Sequence, residues 1–238
     1  NRNRITKISN FMKKRNEEVI KKAEEENQSA PVILYEEGRS LTDIYAVRSL
    51  GIDPATGKEV YLKRNGEKTF VWDAVDKVPM GDSQPKWNGS ISSSFLYKNW
   101  SMNLAFTYSL GAHIYNQTLV DKIENSKVAY NLDRRAIKAR WSKDNPDAKY
   151  KSIEIIGNDT PQSSRFVQKE NKLTFSSITL GYRFDPKNFK FLQTCRVASL
   201  SLNATMNDIA VLSTIRQERG LDYPFARSFN LSLSVLFN

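Results

Sequence analysis

The sequence predicts an all-β fold, the strands of an antiparallel transmembrane β-barrel, and three observations support this fold class. The final stretch, 225–238, alternates apolar residues with Ser and Asn, which is the period of two that a strand shows. The stretch 100–110 keeps this alternation over eleven residues, whereas soluble strands average about 5–6 residues and a tilted membrane strand needs about 9–11. The connections between the predicted strands alternate between short and long, as in outer-membrane barrels.

The first part of the chain is predicted as the end of a barrel strand at 1–9, followed by an extracellular loop lobe at 10–87. Asn10 is expected to cap a helix that runs to about residue 27. Short extended pieces follow, and Asn65-Gly66 predicts a hairpin turn between VYL and TFVW. Because this part is polar and irregular in pattern, we expect a large loop rather than membrane strands.

The barrel strands are predicted in 88–238, beginning with a hairpin of 88–98 and 100–110 around a tight turn at Asn99. A long extracellular loop covers 115–172, with a helix expected over 119–141. Strands at 177–184, 198–206 and 225–238 complete the set. In each strand one face is apolar and the other carries small polar residues, as expected between lipid and a wet lumen. The predicted lipid-facing residues include Leu104, Phe106, Leu180, Leu200, Leu202, Leu231, Leu233 and Val235.

The lengths of the connections predict the orientation of the strands. The connections at Asn99 and 185–194 are short, whereas 10–87, 115–172 and 208–223 are long. Short turns lie on the periplasmic side of outer-membrane barrels and long loops lie outside. Aromatic residues are predicted at both strand ends, where interfacial girdles form: Tyr97, Trp100, Phe184, Phe189, Phe191 and Phe237 at the periplasmic end, and Trp87, Tyr115, Tyr223 and Phe225 at the outer end.

Charge and composition exclude several other classes of function. The formal charge is +10, but most charges fall in connections and alternate in sign, which is typical of solvated helices rather than of a phosphate-binding patch. We therefore expect no nucleic acid partner. The longest apolar runs are too short for a membrane helix. Since the chain begins inside charged sequence, we expect it to be a piece of a longer protein.

The residue inventory also predicts a protein that is not an enzyme. Cys195 is the single cysteine and His113 the single histidine, which excludes internal disulfides, thiolate metal sites and His–His metal motifs. No Ser lies in a nucleophile-elbow sequence, and no phosphate-binding Gly-rich loop is present. We expect no cofactor and no metal site.

Several short segments together resemble one family. They are Gly81, Asp82, Pro85, Lys86 and Trp87 leading into an Asn-Gly strand, Ile114-Tyr115-Asn116 before a long loop, YEEG and LGIDPATGKEVYL in the lobe, and YPFARSFNLSLSVLF at the end. In this order and spacing they resemble the C-terminal barrel region of a SusC/RagA-like TonB-dependent outer-membrane transporter of the Bacteroidetes type. The resemblance covers essentially the whole chain.

The resemblance implies a function, a location and partners. Such proteins are plugged barrels of about 22 strands in the outer membrane of Gram-negative bacteria. They import oligosaccharides or peptides, and they act with a SusD-like surface lipoprotein and with TonB. The plug and the segment that contacts TonB lie upstream in the family and are missing from this chain. The resemblance also makes Phe237 the aromatic residue that the assembly machinery recognises, although Asn238 follows it where family members commonly end.

The residues predicted to face a substrate or partner lie in the long loop, where flat aromatic faces occur beside strong hydrogen-bonding groups. They are Tyr130, Asn131, Asp133, Arg134, Arg135, Arg140 and Trp141. An alternative interpretation is that they pack against the SusD-like lipoprotein or against neighbouring loops. For Trp141, a role as an anchor of loop packing is favoured over a role as a platform on which a sugar stacks.

A different class of protein is also open: a secreted β-sandwich that binds carbohydrate. A sandwich needs a second apolar face to pack against the first. The Ser-rich faces of the predicted strands do not provide one, so the transporter is favoured.

Overall fold

Two antiparallel sheets and several short helices form the fold in a computed structural model, which describes residues 3–25, 32–126, 133–155, 160–216 and 227–237. The chain divides into two compact units. We call the unit formed by Asn1–Lys86 and Gly111–Glu170 the lobe, and the unit formed by Trp87–Leu110 and Asn171–Asn238 the strand unit. Among the described residues, no helix is long and apolar enough to cross a membrane.

The lobe contains a four-stranded sheet that the sequence pattern did not predict. Its strands are β1 (Asp43–Ile52), β2 (Glu59–Leu62), β3 (Lys68–Thr69) and β4 (Lys77–Asp82), in the order β3-β2-β1-β4. The predicted hairpin at Asn65-Gly66 is confirmed, because it joins β2 to β3. Tyr45, Ala46 and Val47 of β1 are fully buried. This segment folds around a core of its own, and its assignment to an extracellular loop lobe rather than to membrane strands stays a prediction.

Helix α1 (Asn10–Glu25) precedes this sheet and confirms the predicted helix. The hydroxyl of Ser9 accepts a hydrogen bond from the amide of Met12. Ser9 therefore caps the helix, one residue before the predicted cap at Asn10. Asn16 fixes α1 to the following segment through two hydrogen bonds with the backbone of Tyr35. Residues 3–9 lie in neither sheet. The assignment of 1–9 to the end of a barrel strand stays a prediction, since its strand partner would lie outside this chain.

The connection 116–166 contains short helices instead of one long helix. Helix α2 (Gln117–Leu119) continues into a π-helix at Val120–Glu124, and α3 covers Arg134–Lys138. The single helix expected over 119–141 was wrong. Helical structure ends at Asn125, and the extended backbone of Asp133 starts a new helix. A small apolar core holds these turns together: Leu119, Val120, Ile123, Ala136 and Phe166.

The strand unit contains a five-stranded sheet in which each strand lies beside the next one in sequence. The strands are β5 (Trp87–Tyr97), β6 (Trp100–Tyr115), β7 (Val167–Phe184), β8 (Val197–Ser213) and β9 (Ser228–Phe237); β6 and β7 also contribute residues to the lobe. The strands pair in antiparallel register with apolar residues opposite each other, for example Ile91 with Phe106 and Ala204 with Leu231. The predicted alternation and pairing are thereby confirmed.

Three strands are longer than predicted. Strands β6, β7 and β8 contain 16, 18 and 17 residues, so the connections shorten to 116–166 and 214–227. Around Phe175 the alternation changes phase, because the register shifts between Phe175 and Ser177 and Asp208 adopts a left-handed backbone. The shift lets Phe175 stack on Phe106, with 4.5 Å between ring centroids. Because of this irregularity, the first half of β7 does not alternate strictly, and the sequence pattern did not predict it as a strand.

Candidate functional site

One face of the strand unit is apolar and open. Leu231 and Leu233 are 64% and 62% exposed, and Leu180 and Val235 are 43% and 41% exposed. Leu104, Phe106, Leu200 and Leu202 are half-buried between neighbouring strands. A soluble monomer rarely exposes such a contiguous apolar surface, which marks an interface with lipid or with another protein.

An aromatic chain crosses this face where the short connections join the strands. The ring centroids of Trp100 and Tyr182 lie 4.7 Å apart, those of Tyr182 and Phe184 lie 4.7 Å apart, and those of Phe184 and Phe189 lie 5.4 Å apart. Trp100, Phe184 and Phe189 were all predicted for the same girdle. Tyr182 joins them because it follows the same face of β7. Offset and edge-on contacts of this kind stabilise aromatic clusters.

The opposite face is polar and carries a recess of about 650 Å³ near the same strand ends. Ser101, Arg183 and Asn203 are among its lining residues. Gly181 lies between Ser101 and Asn203, and a side chain at Gly181 would collide with both. Farther along, the hydroxyls of Thr179 and Thr205 lie 3.0 Å apart. The sheet therefore separates an apolar face from a polar one, with hydrogen-bonding groups left accessible in the recess.

The predicted loop residues fall into different environments. Tyr130 and Asn131 lie outside the described residues. Asp133 caps α3 by accepting from the amide of Arg135, and its carboxylate pairs with the Arg135 guanidinium at 2.7 Å. Arg134 is exposed. The structure brings Asp133, Arg134 and Arg135 to the first turn of one short helix, and their role toward a substrate stays a prediction.

The side chain of Arg140 is buried and bonded within the protein. It is 5% exposed and donates to the carbonyls of Ile123, Glu124 and Lys151 and to the hydroxyl of Ser126. Burial lowers the pKa of Arg140, while the charge of Glu124 opposes that shift. Its hydrogen-bonding groups hold together the chain segments on either side of α3. Contact with a substrate would require these bonds to break.

Trp141 packs against the turn that joins β1 to β2. Its indole nitrogen donates to the carbonyl of Pro54 at 2.9 Å. Its ring fills the space where a side chain on Gly57 would stand, and Gly57 has a positive φ of 69°. This position agrees with the interpretation of Trp141 as an anchor of loop packing.

Arg165 links the long connection to the lobe sheet through ion pairs, and no sequence motif predicted this role. Its guanidinium contacts Glu59 of β2 at 2.8 Å and Glu124 at 2.7 Å, and it also donates to the carbonyl of Lys149. The Arg165 side chain is 13% exposed and the two carboxylates are almost fully buried. Burial raises the pKa of Glu59, but the charge and hydrogen bonds of Arg165 outweigh it and hold that pKa below its usual value.

Lys77 is a buried cation in a different situation. Its ammonium lies 5.4 Å from the centre of the Trp72 ring. Among the described residues it has no hydrogen-bond partner. Burial lowers the pKa of Lys77 to about 8, with the charge of Glu24 acting in the other direction. In the described part of the chain, no cluster of His, Cys, Asp and Glu side chains could hold a metal ion.

Curated relatives are TonB-dependent receptors. A receptor of Formosa agariphila is 28% identical over 158 residues, which is 64% of this chain and 15% of the relative. The receptor SusC of Bacteroides thetaiotaomicron is 26% identical over 192 residues, covering 76% of this chain and 18% of the relative. A second Formosa receptor is 27% identical and is covered to 20%. This chain thus spans about a fifth or less of the curated relatives it matches. No protein-family model matches the sequence.

Solved structures show the same fold. The RagAB peptide transporter matches 77% of this chain with a TM-score of 0.65 and 16% identity, which covers 20% of the solved chain. The RagAB peptide importer in its open-open state matches 84% of this chain with a TM-score of 0.68 and covers 23% of the solved chain. The relatives are TonB-dependent receptors, and the solved structures share the fold of this chain. The chain is therefore similar to part of the SusC/RagA-like TonB-dependent transporters, which confirms the predicted resemblance.

Proposed function

We propose that this chain forms strands and extracellular loops of an outer-membrane, TonB-dependent transporter that imports oligosaccharides or peptides. The observation that carries the proposal is the five-stranded sheet with one open apolar face and one polar face. A sheet between lipid and a polar lumen requires this division. The relatives support it, because they are named as TonB-dependent receptors and the similar structures as peptide transporters.

Closure of the barrel requires strands beyond this chain. Among the described residues, β5 and β9 form the two edges of the five-stranded sheet. Open edges cannot stand in hydrocarbon, because their backbone groups would have no partners. The resemblance implies a plugged barrel of about 22 strands, and we propose that other strands of such a barrel pair with β5 and β9. The plug and the contact with TonB belong to the missing N-terminal part.

The lobe, which includes the connection 116–166, is proposed to lie on the cell surface and to contact a SusD-like lipoprotein. In outer-membrane barrels the short connections lie on the periplasmic side, and the long segments at the other ends of the strands lie outside. A folded lobe with a buried ion network offers a firm surface, whereas a loop without a core would lose entropy on docking. Asp133, Arg134 and Arg135, with Tyr130 and Asn131, are the proposed substrate- or partner-facing residues. We propose transport and no catalysis.

Uptake measured in cells tests the function. The complete transporter is expressed with and without its partner lipoprotein, and labelled peptides and oligosaccharides are offered separately. We expect accumulation of one of the two classes that requires TonB and declines without the lipoprotein. Accumulation that continues without TonB, or recovery of the protein in the soluble fraction, would contradict the proposal.

Variants of the loop residues test the site. Arg134→Gln should weaken uptake or partner binding, because it removes an exposed charge from the proposed surface. Lys143→Gln removes an exposed charge from the same connection and serves as the matched control. Equal uptake and equal co-purification of the lipoprotein with both variants would remove Arg134 from the site.

A further inference from the structure

We propose that the strand unit carries a binding site for anionic phospholipid headgroups at the end where its short connections lie. We call this region the turn end, and it comprises 97–100 and 182–197. The proposal rests on the proposed function, because it requires the apolar face to contact lipid. It adds a specific ligand class, a phosphate-bearing headgroup with net negative charge, and the residues that bind it.

The aromatic groups of the turn end are placed for an interface between hydrocarbon and water. Trp100 is 55% exposed and Tyr97 is 69% exposed. The register pairs them directly, so both belong to the apolar face. Amphipathic Trp and Tyr rings prefer the headgroup level of a bilayer. The aromatic chain from Trp100 to Phe189 therefore marks the depth at which the membrane ends.

A short helix continues this interface into the β7–β8 connection. Helix α4 (Lys190–Thr194) buries Leu192 and leaves Phe191 72% exposed. Lys190 directly precedes Phe191 in the sequence. An apolar side chain next to a cation in the interfacial plane is the arrangement by which amphipathic segments bind anionic membranes.

Charge at the turn end is strongly one-sided. The segments 95–103 and 181–203 contain five cations and a single carboxylate, Asp185. Arg183 lies on the polar face, since it pairs with Ser201. The remaining four cations lie in the two connections: Lys98, Lys187, Lys190 and Arg196. Asp185 accepts a hydrogen bond from the backbone amide of Lys187, so its carboxylate is engaged within its own turn.

The other ends of the same strands carry a smaller excess of cations. Their cations occur together with two carboxylates: Lys86, Lys169, Lys172, Arg216 and Arg227 with Glu170 and Asp208. The turn end combines the larger excess of cations with the aromatic chain from Trp100 to Phe189.

Backbone geometry indicates that local folding does not require cations at two of these positions. Lys98 and Arg196 have φ values of 53° and 52°. Gly or Asn adopts this left-handed conformation more readily than Lys or Arg. The ammonium of Lys98 lies 5.4 Å from the centre of the Tyr97 ring, which holds the charge at the aromatic level. The charge of Lys98 is thus held at the level where a lipid phosphate would lie, and Lys98 and Lys187 also line the recess near these strand ends.

Charge and continuity favour a lipid over a protein partner. The cations border an apolar face that extends along all five strands, and lipid phosphates lie directly above the acyl chains that would cover that face. Each Lys or Arg near an anionic bilayer adds about 1 kcal/mol of attraction, equivalent to about a fivefold preference. A protein partner at this place would instead require a surface that matches the recess on the polar face.

Brominated lipids provide the test, because bromine quenches a nearby Trp. The complete transporter is placed in phosphatidylcholine bilayers that contain either brominated phosphatidylglycerol or the same fraction of brominated phosphatidylcholine. The signal of Trp100 is obtained as the difference between the wild-type protein and Trp100→Phe. We expect brominated phosphatidylglycerol to be preferred at Trp100 by at least about fivefold.

The charge variant and its control give the decisive comparison. A variant with Lys98, Lys187, Lys190 and Arg196 all replaced by Gln should quench equally with both lipids. Replacing Lys13, Lys14, Lys21 and Lys22 of α1 by Gln removes the same charge elsewhere and should keep the preference. Equal quenching in the wild-type protein would overturn the headgroup site and leave the proposed function standing. Absence of quenching by either lipid would overturn the proposed function and this proposal together.

Discussion

The lobe and the strand unit treat polar and apolar groups in opposite ways. The lobe buries charges, with Arg165, Glu59 and Glu124 in contact and Arg140 enclosed by carbonyls. The strand unit exposes apolar side chains, including Leu231, Leu233 and Phe229. Burial of charge is tolerated only with partners, and exposure of apolar surface only with a nonaqueous neighbour. The difference agrees with the proposed function, in which the lobe contacts water and the apolar face of the strand unit contacts lipid.

The largest expected effect is on the lobe. Arg165→Leu leaves Glu59 and Glu124 buried without their cation, and breaking a buried ion pair typically destabilises by about 3–5 kcal/mol. Hydrogen exchange of the β1 and β2 amides in the complete transporter measures the loss of protection. Lys63→Leu breaks the exposed pair with Glu67 and is the control, since exposed pairs contribute about 0–1 kcal/mol. Equal effects of the two variants would show that the network does not hold the lobe.

The next largest effect is expected from replacing Lys77, and it has the opposite sign, because the replacement should stabilise the lobe. The pKa of Lys77 is about 8 in the folded lobe and 10.5 in the unfolded chain. Below pH 8 both states hold the proton, and burying the charge costs on the order of 3 kcal/mol. Between pH 8 and 10.5 only the unfolded chain holds it, so the cost disappears as the pH rises.

The variant Lys77→Met should therefore stabilise the lobe at pH 7, and its advantage should decrease between pH 8 and 10.5. Lys68→Met, at an exposed position of β3, should change little at either pH. Protection of the β4 amides against hydrogen exchange, measured at pH 7 and between pH 8 and 10.5, reports the stability of each variant. An advantage of Lys77→Met that is independent of pH would show that its ammonium is already solvated in the folded lobe.

The smallest effect on folded stability is expected at Phe237. This side chain is 66% exposed, so Phe237→Ala should change the stability of the inserted barrel by less than about 1 kcal/mol. The amount that reaches the outer membrane should nevertheless fall, because the resemblance makes Phe237 an assembly signal. Quantitative blotting of membrane fractions measures it, with Phe229→Ala at the other end of β9 as control. Equal amounts of the two variants would contradict the assigned role.

The two regions also differ in how far the sequence predicts them. Strand pairing in the strand unit was predictable because each apolar face repeats locally, as in Leu231, Leu233 and Val235. The lobe was not, since Ile44 to Val47 are buried consecutively and show no alternation. Arg165 lies 41 positions from Glu124 and 106 from Glu59. No local pattern connects such partners, and the same holds for Trp141 and Gly57.

The roles of the loop residues toward a substrate or partner stay predictions. Asp133, Arg134 and Arg135 follow one another at the start of a short helix, so their closeness needs no long-range contact. Arg140 could not be assigned from its type, since the groups that enclose it come from segments on both sides of α3. The phase change near Phe175 depends on a bulge whose partner residue lies on another strand. Long-range packing thus decided the features that local patterns did not show.

The central claim, that the apolar face of the strand unit contacts lipid, is tested most directly by one pair of variants. Leu104 and Asn103 are neighbours on β6, and the register places them on opposite faces, beside Ser93 and Ser94 respectively. The free energy of unfolding of the complete transporter is measured in lipid bilayers. Leu104→Arg should lower it by about 2–4 kcal/mol, the cost of Arg near the bilayer midplane, whereas Asn103→Arg should leave it nearly unchanged. Equal losses for both variants would contradict the account.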